Sequence, residues 1–195
     1  MSENQQDSVI GAAYRLKKTV VMVGMMGAGK TAVGRALAAR LDAPFLDSDV
    51  EIEAAANMTV PEIFERDGEP FFRAKETQVI SRLLDEERGI LSTGGGAFLA
   101  EENRQNITAR GVSVWLNADL DLLWQRVRHK DTRPLLRTAE PRATLAEIYA
   151  ARVPLYALAD VAVVSLPGLS IEQMVNRVVA ALLKQRSDAL EKLHA

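Results

Sequence analysis

Eight consecutive residues, Gly24-Met-Met-Gly-Ala-Gly-Lys30-Thr31, have the types and spacing to hold a phosphate chain. They satisfy G-x-x-x-x-G-K-[ST] at every fixed position. Glycines let the backbone curl until successive N–H groups point inward at phosphate oxygens. A helix starting near Lys30 would add the positive end of its dipole. Lys30 would place a mobile ammonium on the β- and γ-phosphates, and Thr31 would offer its hydroxyl to Mg²⁺. The same letters contain a rival, because Gly27-Ala-Gly29-Lys-Thr-Ala32 fits G-x-G-x-x-A, with Asp47 about twenty residues on, as a dinucleotide site requires. That rival leaves Lys30-Thr31 unexplained, so a nucleoside triphosphate is the preferred ligand. A plain glycine-rich turn is the bland alternative.

Further chemistry-bearing residues lie downstream. Asp47 and Asp49 are two apart, so they share a face if the strand end is extended. Alternatively, one of them caps a helix beginning near Val50. Gly94, Gly95 and Gly96 would let a backbone approach a ligand closely. Ser92 stands just before them, where many phosphate-loop proteins carry a magnesium-binding acid. Arg73 and Arg152 are each capable of gripping a carboxylate with two parallel hydrogen bonds. For any single arginine, a helix salt bridge is the default.

The surrounding pattern says what must position these groups. Val20 to Val23, Phe45–Leu46, Gly89 to Ser92, Val112 to Leu116 and Val161 to Ser165 read as five short apolar strands. Between them run helical stretches. The first has Val33, Leu37 and Leu41 at steps of four. Helical material continues to about Glu87, with Thr59 followed by Val60-Pro61 as a start signal within it. Others cover roughly 100–109, 118–128, 142–158 and 170–186. Strands alternating with helices predict an α/β fold, a parallel sheet covered on both faces. Ligands then collect at the carboxyl ends of the strands, where the residues above cluster.

Composition removes other classes. The 195 residues suffice for one domain with a full core. A net charge of −2 argues against a general nucleic-acid binder. With no cysteine and two histidines, disulfides, thiolate metal sites and a histidine-based triad drop out. Between Arg88 and Glu101 runs the longest charge-free stretch, Gly89 to Ala100, too short to span a bilayer. The first residues, MSENQQDS, lack the basic start of a signal peptide, so a cytoplasmic location is expected. No apolar seam argues for assembly, and a monomer is the default expectation. Residues 1–17 read as a flexible leader and 187–195 as a helical tail. The single domain spans 18–186. The absence of an N-K-x-D guanine motif and of room for motor domains leaves a small phosphoryl-transfer enzyme.

From about Lys18 to Leu158 the sequence resembles the shikimate kinase family, in five motifs in order: GMMGAGKT, LDSD, FFRAKE, LSTGGGA, and the pair TRPLL and RVPLY. The resemblance implies a three-layer α/β/α P-loop kinase fold, like that of nucleoside monophosphate kinases, with strand order 2-3-1-4-5 and a lid at about 129–140. It implies transfer of the ATP γ-phosphoryl to the 3-hydroxyl of shikimate. By the same resemblance, Gly27, Ala28, Gly29, Lys30, Thr31 and Ala32 bind ATP, Arg126 stacks on adenine, and Arg133 swings over the phosphates. Lys30, Asp49 and Arg133 are then catalytic. Asp49, Arg73, Gly94, Gly95, Gly96 and Arg152 bind shikimate. Thr31, with Asp47 acting through water, holds Mg²⁺ as the cofactor. A gluconate-kinase-like sugar-acid kinase and a non-catalytic nucleotide-binding module are the alternatives.

Overall fold

The run Thr-Val-Val-Met-Val at residues 19–23 is buried throughout, and the rest of the fold is arranged around it. A strand buried along its whole length needs cover on both faces, which an interior place in a parallel sheet provides. In a computed structural model describing residues 13–130 and 133–193, this strand is β2 (Thr19–Val23), following β1 (Tyr14–Leu16). It pairs in parallel with β4 (Ile90–Ser92) on one side and β5 (Gly111–Ala118) on the other. Beyond β4 lies β3 (Phe45–Asp47), and beyond β5 lies β6 (Val161–Ser165). The order β3-β4-β2-β5-β6 is the expected 2-3-1-4-5 when these five strands alone are counted.

Helices link the strands. α1 (Lys30–Arg40) buries Val33 and Leu37 against the sheet, and Leu41 just past its end is buried with them, as their spacing predicts. α1 packs on α8 (Ile171–Gln185) over one face of the sheet. The opposite layer includes α4 (Glu69–Glu86) and α5 (Glu101–Arg110), packed on each other with α5 against β5. The helical region before residue 87 is three helices, not one. α2 (Ser48–Ala56) stops at Asn57, whose φ is 51°, and α3 (Val60–Asp67) stops at Gly68. Thr59 caps α3 as expected, and Glu62 completes a reciprocal capping box. That bond holds the Glu62 carboxyl below its ordinary range. α6 (Leu120–Val127) and α7 (Pro141–Tyr156) complete the set.

From β2 the chain crosses outward to β3, whereas from β4 it crosses β2 to reach β5. The loops after β2 and β4 therefore part, leaving a crevice at their carboxyl ends.

The two chain ends depart from expectation. Residues 190–192 are not helical but form β7 (Leu190–Lys192), antiparallel to β1. Tyr14–Leu16 thus belongs to the fold rather than to a flexible leader, while residues 1–12 and 194–195 lie outside the described residues. Tyr-Arg-Leu and Leu-Glu-Lys carry charged residues and no apolar run, so neither stands out as a strand. Ala189 and Leu190 are fully buried, and Lys17 donates its backbone N–H to Ala189 at 2.7 Å. Asp188 accepts from both Arg186 and Lys18, which holds its carboxyl far below the ordinary range. The ribbon sits at the amino ends of the strands, away from the crevice. Leu190→Ala is expected to lower unfolding free energy by about 2–5 kcal/mol in denaturant titration, with kcat unaffected.

Candidate active site

The phosphate loop is drawn tight between β2 and α1. Gly27 has a φ of 80°, and a Cβ there would lie 2.6 Å from Val127 on α6, so no larger residue fits without displacement. The Lys30 ammonium folds over the loop and donates to the carbonyls of Gly24 at 2.9 Å and Met25 at 3.0 Å. Desolvation lowers its pKa to about 8. Arg133 and Arg152 push the same way, against Asp49 and Asp47. Thr31 Oγ1 lies 3.5 Å from Asp47 Oδ2 and 3.4 Å from Ser92 Oγ. These are hard oxygen donors of the kind Mg²⁺ prefers, with room left for its waters.

Of the two placements the sequence allows for the acids, the helix cap is the one found, with the helix starting at Ser48 rather than near Val50. Asp47 ends β3 and is itself the N-cap of α2, its Oδ1 accepting from the N–H groups of Asp49 and Val50. Asp49 is already in the first turn of the helix, so the pair does not share one extended strand end. Its carboxylate rests against Gly94, 3.0 Å from where a Cβ would stand. Burial raises the Asp49 pKa, and the neighbouring Asp47 adds to it.

Across the crevice, α4 carries Arg73 and α7 carries Arg152 to either side of the glycine run. The Arg73 guanidinium lies over the Phe72 ring at 5.2 Å and packs on Gly96 so closely that a Cβ there would clash with it. Arg152 Nη1 sits 3.3 Å from the Cβ position of Gly95. Two side chains that the motif reading passed over complete this wall. Glu76, 1% exposed, accepts from Arg73 Nη1 at 2.8 Å, and its other oxygen has no hydrogen-bond partner. Burial pushes its pKa up, with Arg73 opposing. Tyr156, fully buried, donates its hydroxyl to the Gly95 carbonyl. Both had a signal available: Glu76 is three residues after Arg73, and Tyr156 is four after Arg152, spacings that share a helix face.

Arg126 differs from a free stacking plane. Its Nη1 donates to the carbonyls of Gly27 and Ala28, and its Nη2 to Ser165 Oγ. It braces the back of the phosphate loop while lining the same cavity. Arg133 begins a 3-10 turn, Pro134–Leu136, whose Leu136 is buried. The segment expected to be a lid is therefore partly anchored, and its Asp131 and Thr132 lie outside the described residues.

Two cavities result. One, of about 530 Å³, runs from the phosphate loop past Arg126 to Ser165, Leu169 and Met174. The other, about 200 Å³, lies between Phe64, Phe72, Arg73, Glu76 and Arg152. Both are lined by Met26, Asp49, Gly94, Gly95 and Arg133, so they share a wall. An elongated anion fits the first and a compact one the second, with their reactive ends meeting at Asp49 and Arg133.

Comparison with known proteins agrees with this geometry. The family model for shikimate kinase matches residues 26–183. A shikimate kinase of Ruegeria pomeroyi is 67% identical over 98% of this chain and 97% of its own length. One of Cereibacter sphaeroides is 67% identical over 91% of this chain and 88% of its own. The structure of shikimate kinase from Acinetobacter baumannii in complex with shikimate superposes with a TM-score of 0.80 at 36% identity, covering 87% of this chain and 94% of that one. A gluconokinase from Sinorhizobium meliloti, at 19% identity and a TM-score of 0.59, shares the fold.

Lys30 titrates below its unfolded value, so its charged form is disfavoured in the fold. That cost is present at neutral pH and fades as pH rises from about 8 towards 10.5. Nucleoside triphosphate binding needs the charged form. Its Kd, followed by calorimetry, is expected to weaken as pH passes about 8 in the free protein. A flat profile from pH 7 to 9.5 would contradict the placement of Lys30. Separately, Gly96→Ala is expected to displace Arg73 and abolish capture of the compact anion while leaving nucleotide affinity intact.

Proposed function

The chain belongs to the shikimate kinase family, and from that premise we propose how its own residues divide the work of ATP-dependent shikimate phosphorylation. ATP lies along the larger cavity, its β- and γ-phosphates wrapped by the amides of Gly27 to Ala32. Lys30 neutralises the phosphate charge and travels with it. The adenine end reaches Ser165 to Met174, beside Arg126, which lines the cavity while its edge is held by loop carbonyls. Shikimate fills the smaller cavity. Arg73 and Arg152 grip its carboxylate, and the apolar rings of Phe64 and Phe72 keep that charge away from water, which strengthens the grip.

This orientation turns the 3-hydroxyl towards the shared wall. Asp49 accepts its hydrogen bond there, and a carboxylate with a raised pKa is a better proton acceptor than an ordinary one. Because the transition state for phosphoryl transfer is loose, positioning and charge neutralisation matter more than base strength. Arg133, lining both cavities, meets the charge that develops on the moving group and covers it as a lid. Thr31 and, through water, Asp47 would hold Mg²⁺, which when bound neutralises the β- and γ-oxygens. Asp47 keeps Oδ1 on the α2 amides, which turns Oδ2 towards the Thr31 hydroxyl. Every group named belongs to a single chain, so the proposed site asks for no residue from a second copy. The requirement for ATP suits the cytoplasm.

The observation that carries this reading is the flanking of the triple glycine by two guanidinium groups beside a phosphate loop. A coupled ADP-release assay tests it. Shikimate is expected to turn over with kcat/KM at least about 100-fold above quinate or gluconate, and equal turnover of gluconate would defeat it. Arg152→Ala should raise the shikimate KM by more than about tenfold with ATP KM little changed. Asp49→Asn should lower kcat by roughly 10² to 10⁴.

A further inference from the structure

Tyr156 is fully buried, and a phenol in that position must find a partner for its hydroxyl. It donates to the carbonyl of Gly95, in the middle of a glycine run whose flanking carbonyls, Gly94 and Gly96, accept from the backbone N–H groups of Ala97 and Leu99. Arg152 stands one helical turn earlier on α7, on the same face, with Nη1 3.3 Å from the Gly95 Cβ position. The Tyr156 ring stacks on Trp115 of β5, centroids 6.3 Å apart and planes at 30°. Trp115 in turn reaches the phosphate loop, its Cδ1 3.3 Å from where a Cβ on Gly24 would lie. One aromatic pair thus touches both the nucleotide loop and the acid-binding wall.

We propose that Tyr156 is a positioning residue for the phosphoryl acceptor. Its hydroxyl fixes the Gly95–Gly96 peptide and the neighbouring Arg152 guanidinium, and its ring, through Trp115, keeps them in register with the phosphate loop. The proposal rests on Arg152 as a carboxylate ligand. Burial raises the Tyr156 pKa, with Arg152 pulling the other way, so the hydroxyl stays a proton donor across the working range.

Tyr156→Phe removes the hydroxyl and keeps the stacked ring. The shikimate KM is expected to rise about tenfold, the size of one lost hydrogen bond, while the ATP KM and kcat each change less than about threefold. Purely structural packing would lower Tm and leave the ratio of the two KM values unchanged, and that result overturns the proposal. Arg152→Ala measured alongside separates the two claims. If it does not raise the shikimate KM, the carboxylate reading fails. If it does and Tyr156→Phe does not, this proposal alone fails.

A second measurement does not depend on the Phe variant folding. The chain has three tyrosines. With Tyr14 and Tyr149 replaced by Phe, growth on 3-fluorotyrosine labels position 156 alone. Its ¹⁹F resonance is expected to shift when shikimate is added, and a resonance indifferent to shikimate overturns the proposal.

Discussion

The parallel pairing of β2 with β4 is the constraint on which the site depends. Met22 is paired with Ser92, so the chain leaves both strands at nearly the same height. The phosphate loop and the triple glycine emerge side by side. The Gly95 Cβ position is 3.8 Å from the Met26 amide nitrogen and 4.0 Å from the Gly24 carbonyl. Two cavities share a wall because two strands share a ladder. Burial holds that ladder in place: β2 and β4 are buried along their whole length, as interior strands of a parallel sheet covered on both faces.

Charge is concentrated on this frame. Lys30, Arg133 and Arg152 converge, and desolvation, joined by repulsion from the two guanidinium groups, holds the Lys30 pKa well below its usual value. Asp47 and Asp49 offset part of that field, and Glu76 is committed to Arg73. Such an arrangement is costly in the free protein and favourable once phosphates and a carboxylate enter. Preorganisation of this kind is the main source of catalysis when the transition state asks for positioning rather than new covalent bonds.

Much of this was legible in the sequence, for reasons that differ by element. The phosphate loop is local, so spacing alone identifies it. The apolar face of α1, Val33-Leu37-Leu41, is periodic over its length. The strand order came through family resemblance, since short strands do not encode their neighbours. Glu76 and Tyr156 were missed because a glutamate or tyrosine on a helix is ordinary until its i−3 or i−4 arginine is known to face a ligand. That one of the two acids caps a helix was legible beside the extended reading, but not which one, because the helix starts at Ser48 directly after the strand. The terminal ribbon was illegible: Tyr14 pairs with Lys192 almost the full chain away, and nothing local marks either partner.

In the proposed function the phosphoryl group passes in one step across the wall shared by the two cavities, from ATP to the acid. ATP made chiral at the γ-phosphorus with oxygen isotopes tests it directly, with the configuration read in the shikimate phosphate formed. A single in-line displacement between neighbours predicts inversion at phosphorus. Retention would mean that a side chain such as Asp49 carries the group in between, and would contradict the account.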